Sequence, residues 1–256
     1  MMKAFDEVPP ILTGGLRRRR LLRQVASHTD SRYETALADL TMSLKSAMNR
    51  RRASVELYWL PLGAGDPTPL VRWNGRIFEA LVARRDHRKP QALYHSALVV
   101  RLDNDRYVIE MTPAWQSSAA GRGVVCEGAV GFASLRRIRL FRYEVRRWLG
   151  GVIKDASDAV DSPLSISTDP VRTQLLLNLV PWFPAATWGR DELAAGEMWN
   201  SNSLNSWLLA RSHHKVDTIA APARGRAPGW DAGLVVAARG SHEAVGLRGQ
   251  RHLAVE

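Results

Sequence analysis

The sequence predicts an α+β fold, an antiparallel β-sheet core with helices before and after it. Three observations lead there. β-rich runs recur at Val55–Leu60, Leu93–Val100 and Arg106–Met111, each bounded by turn residues. Two tight turns, Asn74-Gly75 and Asp103-Asn104-Asp105, fold runs back on their neighbours, which makes those neighbours antiparallel. Helical periodicity appears on either side of this core, at 31–50, 168–181 and 200–211.

Composition bounds the rest. A chain of 256 residues with 45% hydrophobic content can build one large domain or two small ones around a substantial core. The expected organisation is a basic, flexible arm over 1–30, a single α+β domain over 31–238 and a flexible tail over 239–256. The single cysteine, Cys126, excludes an internal disulfide framework and a multi-cysteine zinc site, and suits a reducing cytoplasm. No apolar run reaches transmembrane length, and no long apolar segment follows Lys3, Asp6 and Glu7, so neither a membrane span nor a signal peptide is expected. A net charge of +11 permits a nucleic-acid or anionic-surface partner. The excess is mainly arginine spread along the whole chain, with no zinc finger or RNA-binding signature, so nucleic acid is not the favoured partner. The densest basic run, Arg17–Arg20 with Arg23, reads either as a solvated face or as a contact for nucleic acid or anionic lipid.

In order, Tyr33, Leu37, Leu40, Leu44 and Met48 mark an amphipathic helix, ended by Arg50, Arg51 and Arg52. Val55–Leu60 is a strand stopped by Pro61. Val71–Trp73, Asn74-Gly75 and Arg76–Glu79 form a hairpin, and Leu93–Val100 with Arg106–Met111 forms a second. A short strand falls within Gly123–Gly131. Leu135–Trp148 interleaves apolar residues with six arginines, as an edge strand with a charged face would. Asp161-Ser162-Pro163 is a loop. Thr168-Asp169-Pro170 opens a helix that runs to Pro181, and Trp182, Phe183, Pro184 and Trp188 form an aromatic segment of the core. A further helix spans 200–211, and Gly229–Ala237 is a closing strand.

Chemistry concentrates on two stretches. Asn200-Ser201-Asn202-Ser203 offers four consecutive residues of the N-cap type before Leu204, Trp207 and Leu208. Backbone N–H groups at such a helix start favour negative charge, including an oxyanion. The other stretch is Tyr94-His95-Ser96, at the start of an apolar strand. His213-His214 are adjacent and cannot chelate one ion well, and no glycine pattern matches a nucleotide-binding loop, so no cofactor is expected.

Tyr94–Val100 with its returning strand to Glu110, followed later by Asn200-Ser201-Asn202-Ser203-Leu204, resembles the PPPDE putative thiol peptidases. These are permuted papain-like, NlpC-type proteins in which a histidine on an early strand precedes an Asn-Cys-Asn-x-Phe helix start. Lecithin-retinol acyltransferase-like proteins share that order. The resemblance implies His95 as base and Ser201 in the position of the catalytic cysteine. The nucleophile is thus serine, Leu204 replaces the aromatic residue, and the interval between the two motifs is longer. The chain also resembles bacterial proteins that carry the same Trp-Asn-Ser-Asn-Ser run, a likeness that implies no activity.

On this reading Ser201 is the nucleophile, His95 its base and Glu110 the residue that orients the imidazole. Asn200, Asn202, Ser203 and Tyr94 then line the substrate site of a serine hydrolase or acyltransferase acting on an amide or ester. The alternative is a catalytically inactive relative, a binding or structural module for a peptide, lipid or protein, in which Ser201 and its neighbours are helix caps and His95 packs into the sheet. The third is a basic binder of nucleic acid or an anionic surface.

Overall fold

Val99 and Val100 are adjacent on one strand and both are fully buried. Adjacent strand residues point to opposite faces, so the sheet that holds them is covered on both sides. The computed structural model describes residues 52–63, 70–114, 121 and 123–239. The chain divides into Met1–Arg50 and Arg51–Glu256, and every described residue belongs to the second unit.

The elements are β1 (Ala53–Pro61), α1 (Leu70–Arg85), β2 (Ala92–Leu102), β3 (Asp105–Pro113), β4 (Val124–Ala129), β5 (Arg142–Leu149), β6 (Val160–Ser167), α2 (Pro170–Leu179), α3 (Ser201–Arg211), β7 (Gly225–Arg226) and α4 over 230–239. The strands form a seven-stranded sheet in the order β4-β5-β3-β2-β1-β6. Neighbours along this path are antiparallel, and β7 pairs in parallel with the start of β2. The fold is therefore α+β, as expected. Among the described residues no helix is long and apolar enough to cross a membrane.

One face carries the main core. Val55, Leu57 and Trp59 of β1, Leu98 and Val100 of β2, and Ile109 and Met111 of β3 meet α2, α3 and α4 there. The other face holds Leu60, Ala97, Val99 and Val108, covered by Ile153 from the segment after β5. Aromatic rings fix the helical layer. Phe183 stacks on Trp199 at 4.9 Å and meets Trp207 edge-on at 5.7 Å, while Trp59 meets Trp230 at 5.0 Å. Each such pair adds about 1 kcal/mol beyond the burial of its area.

The tertiary structure overrides several local signals. Asn74-Gly75 is not a hairpin turn but lies inside α1. Gly75, Glu79 and Ala83 recur at four-residue spacing and all are buried, which gives the helix its packed face. Glu79 anchors that face by accepting hydrogen bonds from Arg88, from Gln91 N at 2.9 Å and from Arg226 at 3.2 Å. The arginine-rich stretch is a strand only from Arg142 onward, and β5 is interior rather than an edge. Its charges are paired inside the sheet: buried Arg146 bonds Glu144 at 2.9 Å and Glu110 at 3.2 Å, and Arg142 bonds Glu127 at 3.2 Å. Residues 161–163 belong to the edge strand β6, where proline is tolerated. The expected closing strand at 229–237 is helix α4, with Trp230, Gly233 and Ala237 buried at helical spacing. The predicted helix at 31–50, the arm over 1–30 with its basic run, and the tail beyond Arg239 lie outside the described residues.

Candidate functional site

The first turn of α3 is built by side-chain caps. Asn200 is the N-cap, and its Oδ1 accepts from Asn202 N at 2.8 Å and Ser203 N at 3.3 Å. Ser203 Oγ accepts in return from Asn200 N at 3.1 Å, completing a capping box. Ser203 Oγ then donates to Gly229 O at 2.8 Å, and Ser206 Oγ donates to Trp230 O at 2.7 Å. Asn200 Nδ2 and Asn202 Nδ2 both donate to Pro228 O, at 2.8 and 2.9 Å. Asn202 also reaches the sheet, donating to Tyr94 O at 3.0 Å and accepting from Ser96 Oγ at 2.8 Å.

The small residues allow two backbones to approach. A Cβ on Gly229 would lie 2.6 Å from Asn200 Oδ1 and from Met198 O, at a φ of +85° that favours glycine. A Cβ on Gly233 would lie 2.0 Å from Ser206 Oγ and 2.3 Å from Ser203 O. Glu197 joins the same unit by accepting from Gly229 N at 2.7 Å. Burial raises its carboxyl pKa, against the lowering effect of the Gly229 hydrogen bond. Met198–Ser206 and Pro228–Gly233 are therefore one interlocked structure. The sequence carried a signal for it in the run Pro-Gly-Trp-Asp-Ala-Gly, whose glycines fall at the start and in the middle of the strand expected over Gly229–Ala237.

Ser201 is the first residue of α3 and is buried. His95 is not its partner. Ser96 points to α3, so its strand neighbour His95 points to the opposite face. There His95 Nε2 lies 3.5 Å from Asp155 Oδ2, with side-chain exposures of 31% and 13%. The structure thus separates the expected nucleophile and base by the thickness of a β-sheet. Glu110 does share the face of His95, as the burial of Val108 in that layer shows, but its carboxylate bonds Arg146. Asp155, which no pattern in the sequence marks, takes the position against the imidazole. Among the described residues no hydrogen bond links His95 to a hydroxyl or thiol. The side chain of Tyr94 lies on the α3 face, packed over Gly225.

A serine–histidine contact does exist elsewhere. Ser212 Oγ lies 2.8 Å from His214 Nδ1, at the C-terminal end of α3. The hydroxyl has one proton and lies 2.6 Å from Leu208 O, which takes it. Nδ1 therefore carries the imidazole hydrogen and donates, leaving Nε2 buried without a hydrogen-bond partner. Burial first, and then the charge of Arg172, depress the His214 pKa to about 4. Both residues are enclosed, so the pair presents no reactive atom to a substrate. His213, by contrast, is exposed, and the two histidines diverge. Cys126 is half-buried, with its thiol pushed up by burial and 3.7 Å from Phe183 O.

The arrangement holds an intact helix cap, a dense buried polar network and a histidine–aspartate contact on the far face of the sheet. Comparison with protein-family models, with curated proteins and with solved structures gives no match.

Proposed function

We propose that this chain is a non-catalytic binding module on a scaffold resembling the permuted papain-like fold. The observation that carries this reading is the opposed direction of His95 and Ser96 on β2. A serine hydroxyl needs a base within hydrogen-bond reach to act as a nucleophile at neutral pH. The residues around Ser201 instead spend their polar atoms on each other and on the backbone of 228–230. The likeness to the permuted papain-like group is supported by one feature, the packing of the histidine-bearing strand against the Asn-Ser-Asn helix start.

The test is intact-mass labelling with a fluorophosphonate on the wild type, Ser201→Ala and His95→Ala. The expected result is no labelling in any of the three. Stoichiometric labelling of the wild type that disappears in both variants would overturn the proposal and restore the serine hydrolase.

A further inference from the structure

β4 and β5 are antiparallel neighbours, and such neighbours are ordinarily joined by two to five residues, roughly. Here residues 130–141 make the connection, as two 3₁₀ turns at Ala133–Arg137 and Arg139–Phe141. Neither turn contains a buried residue. Phe132, Ile138 and Leu140 are 59%, 51% and 55% exposed. Apolar side chains so placed contribute little to the core, and all three lie within the single connection 132–140.

Charge identifies the partner. Between Glu127 and Glu144 the chain carries Arg136, Arg137, Arg139 and Arg142 and no acidic residue. Arg136 and Arg137 are exposed and, with Ser134 and Arg142, line an open depression beside the apolar residues. Glu127 bonds Arg142 at 3.2 Å, and Asp191, beside Arg190 in sequence, accepts from Ala195 N at 2.6 Å and Gly196 N at 2.9 Å. Arg190 sits 4.6 Å over the Phe132 ring and adds a cation to the same surface. A nucleic acid would use the arginines but would leave Ile138 and Leu140 in water, since bases stack on aromatic or guanidinium planes. A phospholipid interface accommodates both, phosphates against the guanidinium groups and acyl chains against the apolar side chains.

We propose that the 132–140 connection docks this protein on an anionic lipid bilayer, with Phe132, Ile138 and Leu140 entering the headgroup–acyl boundary and Arg136 and Arg137 meeting lipid phosphates. This stands apart from whether Ser201 is reactive.

The experiment is co-sedimentation of the full chain with phosphatidylcholine vesicles, with and without about 30 mol% phosphatidylglycerol. Binding is expected only to the anionic vesicles. Removing each arginine in Arg136→Gln/Arg137→Gln is expected to weaken it about five-fold. The variant Phe132→Ser/Ile138→Ser/Leu140→Ser is expected to weaken it by about ten-fold or more. All the substituted side chains are exposed, so unchanged thermal midpoints check the fold. Hydrogen exchange on the unmodified chain supplies a second reading, with slower exchange over 130–141 when anionic vesicles are added. The proposal is overturned if the wild type ignores anionic vesicles or if the patch variants bind as well as the wild type. It is also overturned if Arg17–Arg20→Gln alone abolishes binding, or if the patch variants lose retention of duplex DNA while vesicle binding is absent.

Discussion

Ser96 donates its hydroxyl proton to Asn202 Oδ1 at 2.8 Å, joining β2 to the first turn of α3 across 106 residues of sequence. The same hydroxyl accepts from Asn205 Nδ2 at 2.9 Å. All three residues are buried, so the loss of one member strands the others without water. Ser96→Ala is expected to cost about 2 kcal/mol in denaturant unfolding. In a double-mutant cycle with Asn202→Ala the two losses should overlap rather than add. Full additivity would show that the contact does not link the sheet to α3.

The cap of α3 is Asn200, with Ser201 already inside the helix. Asn200→Ala is expected to lose about 1–2 kcal/mol, and Ser201→Ala, which removes no cap, to lose less than Asn200→Ala. Urea midpoints of the two variants decide this. The reverse ranking would move the structural role onto Ser201.

Gly233 sits where α4 crosses α3, and a methyl group there meets Ser206 Oγ and the backbone oxygen of Ser203. Gly233→Ala is expected to destabilise by about 1–3 kcal/mol through overpacking. Adding Ser206→Ala relieves the side-chain clash but not the clash with the Ser203 carbonyl, so thermal melts of the double variant should show incomplete recovery. Complete recovery would mean that the helices separate easily at this crossing.

His214 binds its proton less readily in the folded chain, at about 4, than in the unfolded chain, near 6.5. The unfolded state therefore takes up the proton first as the pH drops. The contribution to stability is full above about pH 6.5, declines toward pH 4 and is level below it, a loss of about 3 kcal/mol in all. Arg172, Asp169 and His213 are the charged or titratable groups that act on it. Stability measured by denaturant between these pH values should lose much of its slope in His214→Gln. An unchanged slope would assign the acid sensitivity to other groups.

The sequence by itself determined the α+β class, the strands β1, β2 and β3, and the helices at 170 and 201, because β-rich apolar runs, Asp-Asn-Asp turn chemistry and strong N-caps act over a few residues. The 200–203 run was legible as polar machinery for a helix start with four candidate caps, and the structure makes Asn200 the cap. Whether that machinery was catalytic was not legible, since it depends on which face of β2 carries His95 relative to α3. A one-residue change of parity reverses the answer, and hydrophobicity does not fix it because Val99 and Val100 are buried on opposite faces; the Ser96–Asn202 hydrogen bond places α3 on the face away from His95. Tertiary packing likewise turned Asn74-Gly75 from a hairpin into helix by burying Gly75, Glu79 and Ala83 together. It placed β5 in the interior, between β4 and β3, with Arg146 paired to Glu110 of β3. It made 229–237 a helix by fitting Gly233 against Ser203 and Ser206. Local propensities differ by about 1 kcal/mol or less per residue, and long-range burial and buried charge pairing exceed them.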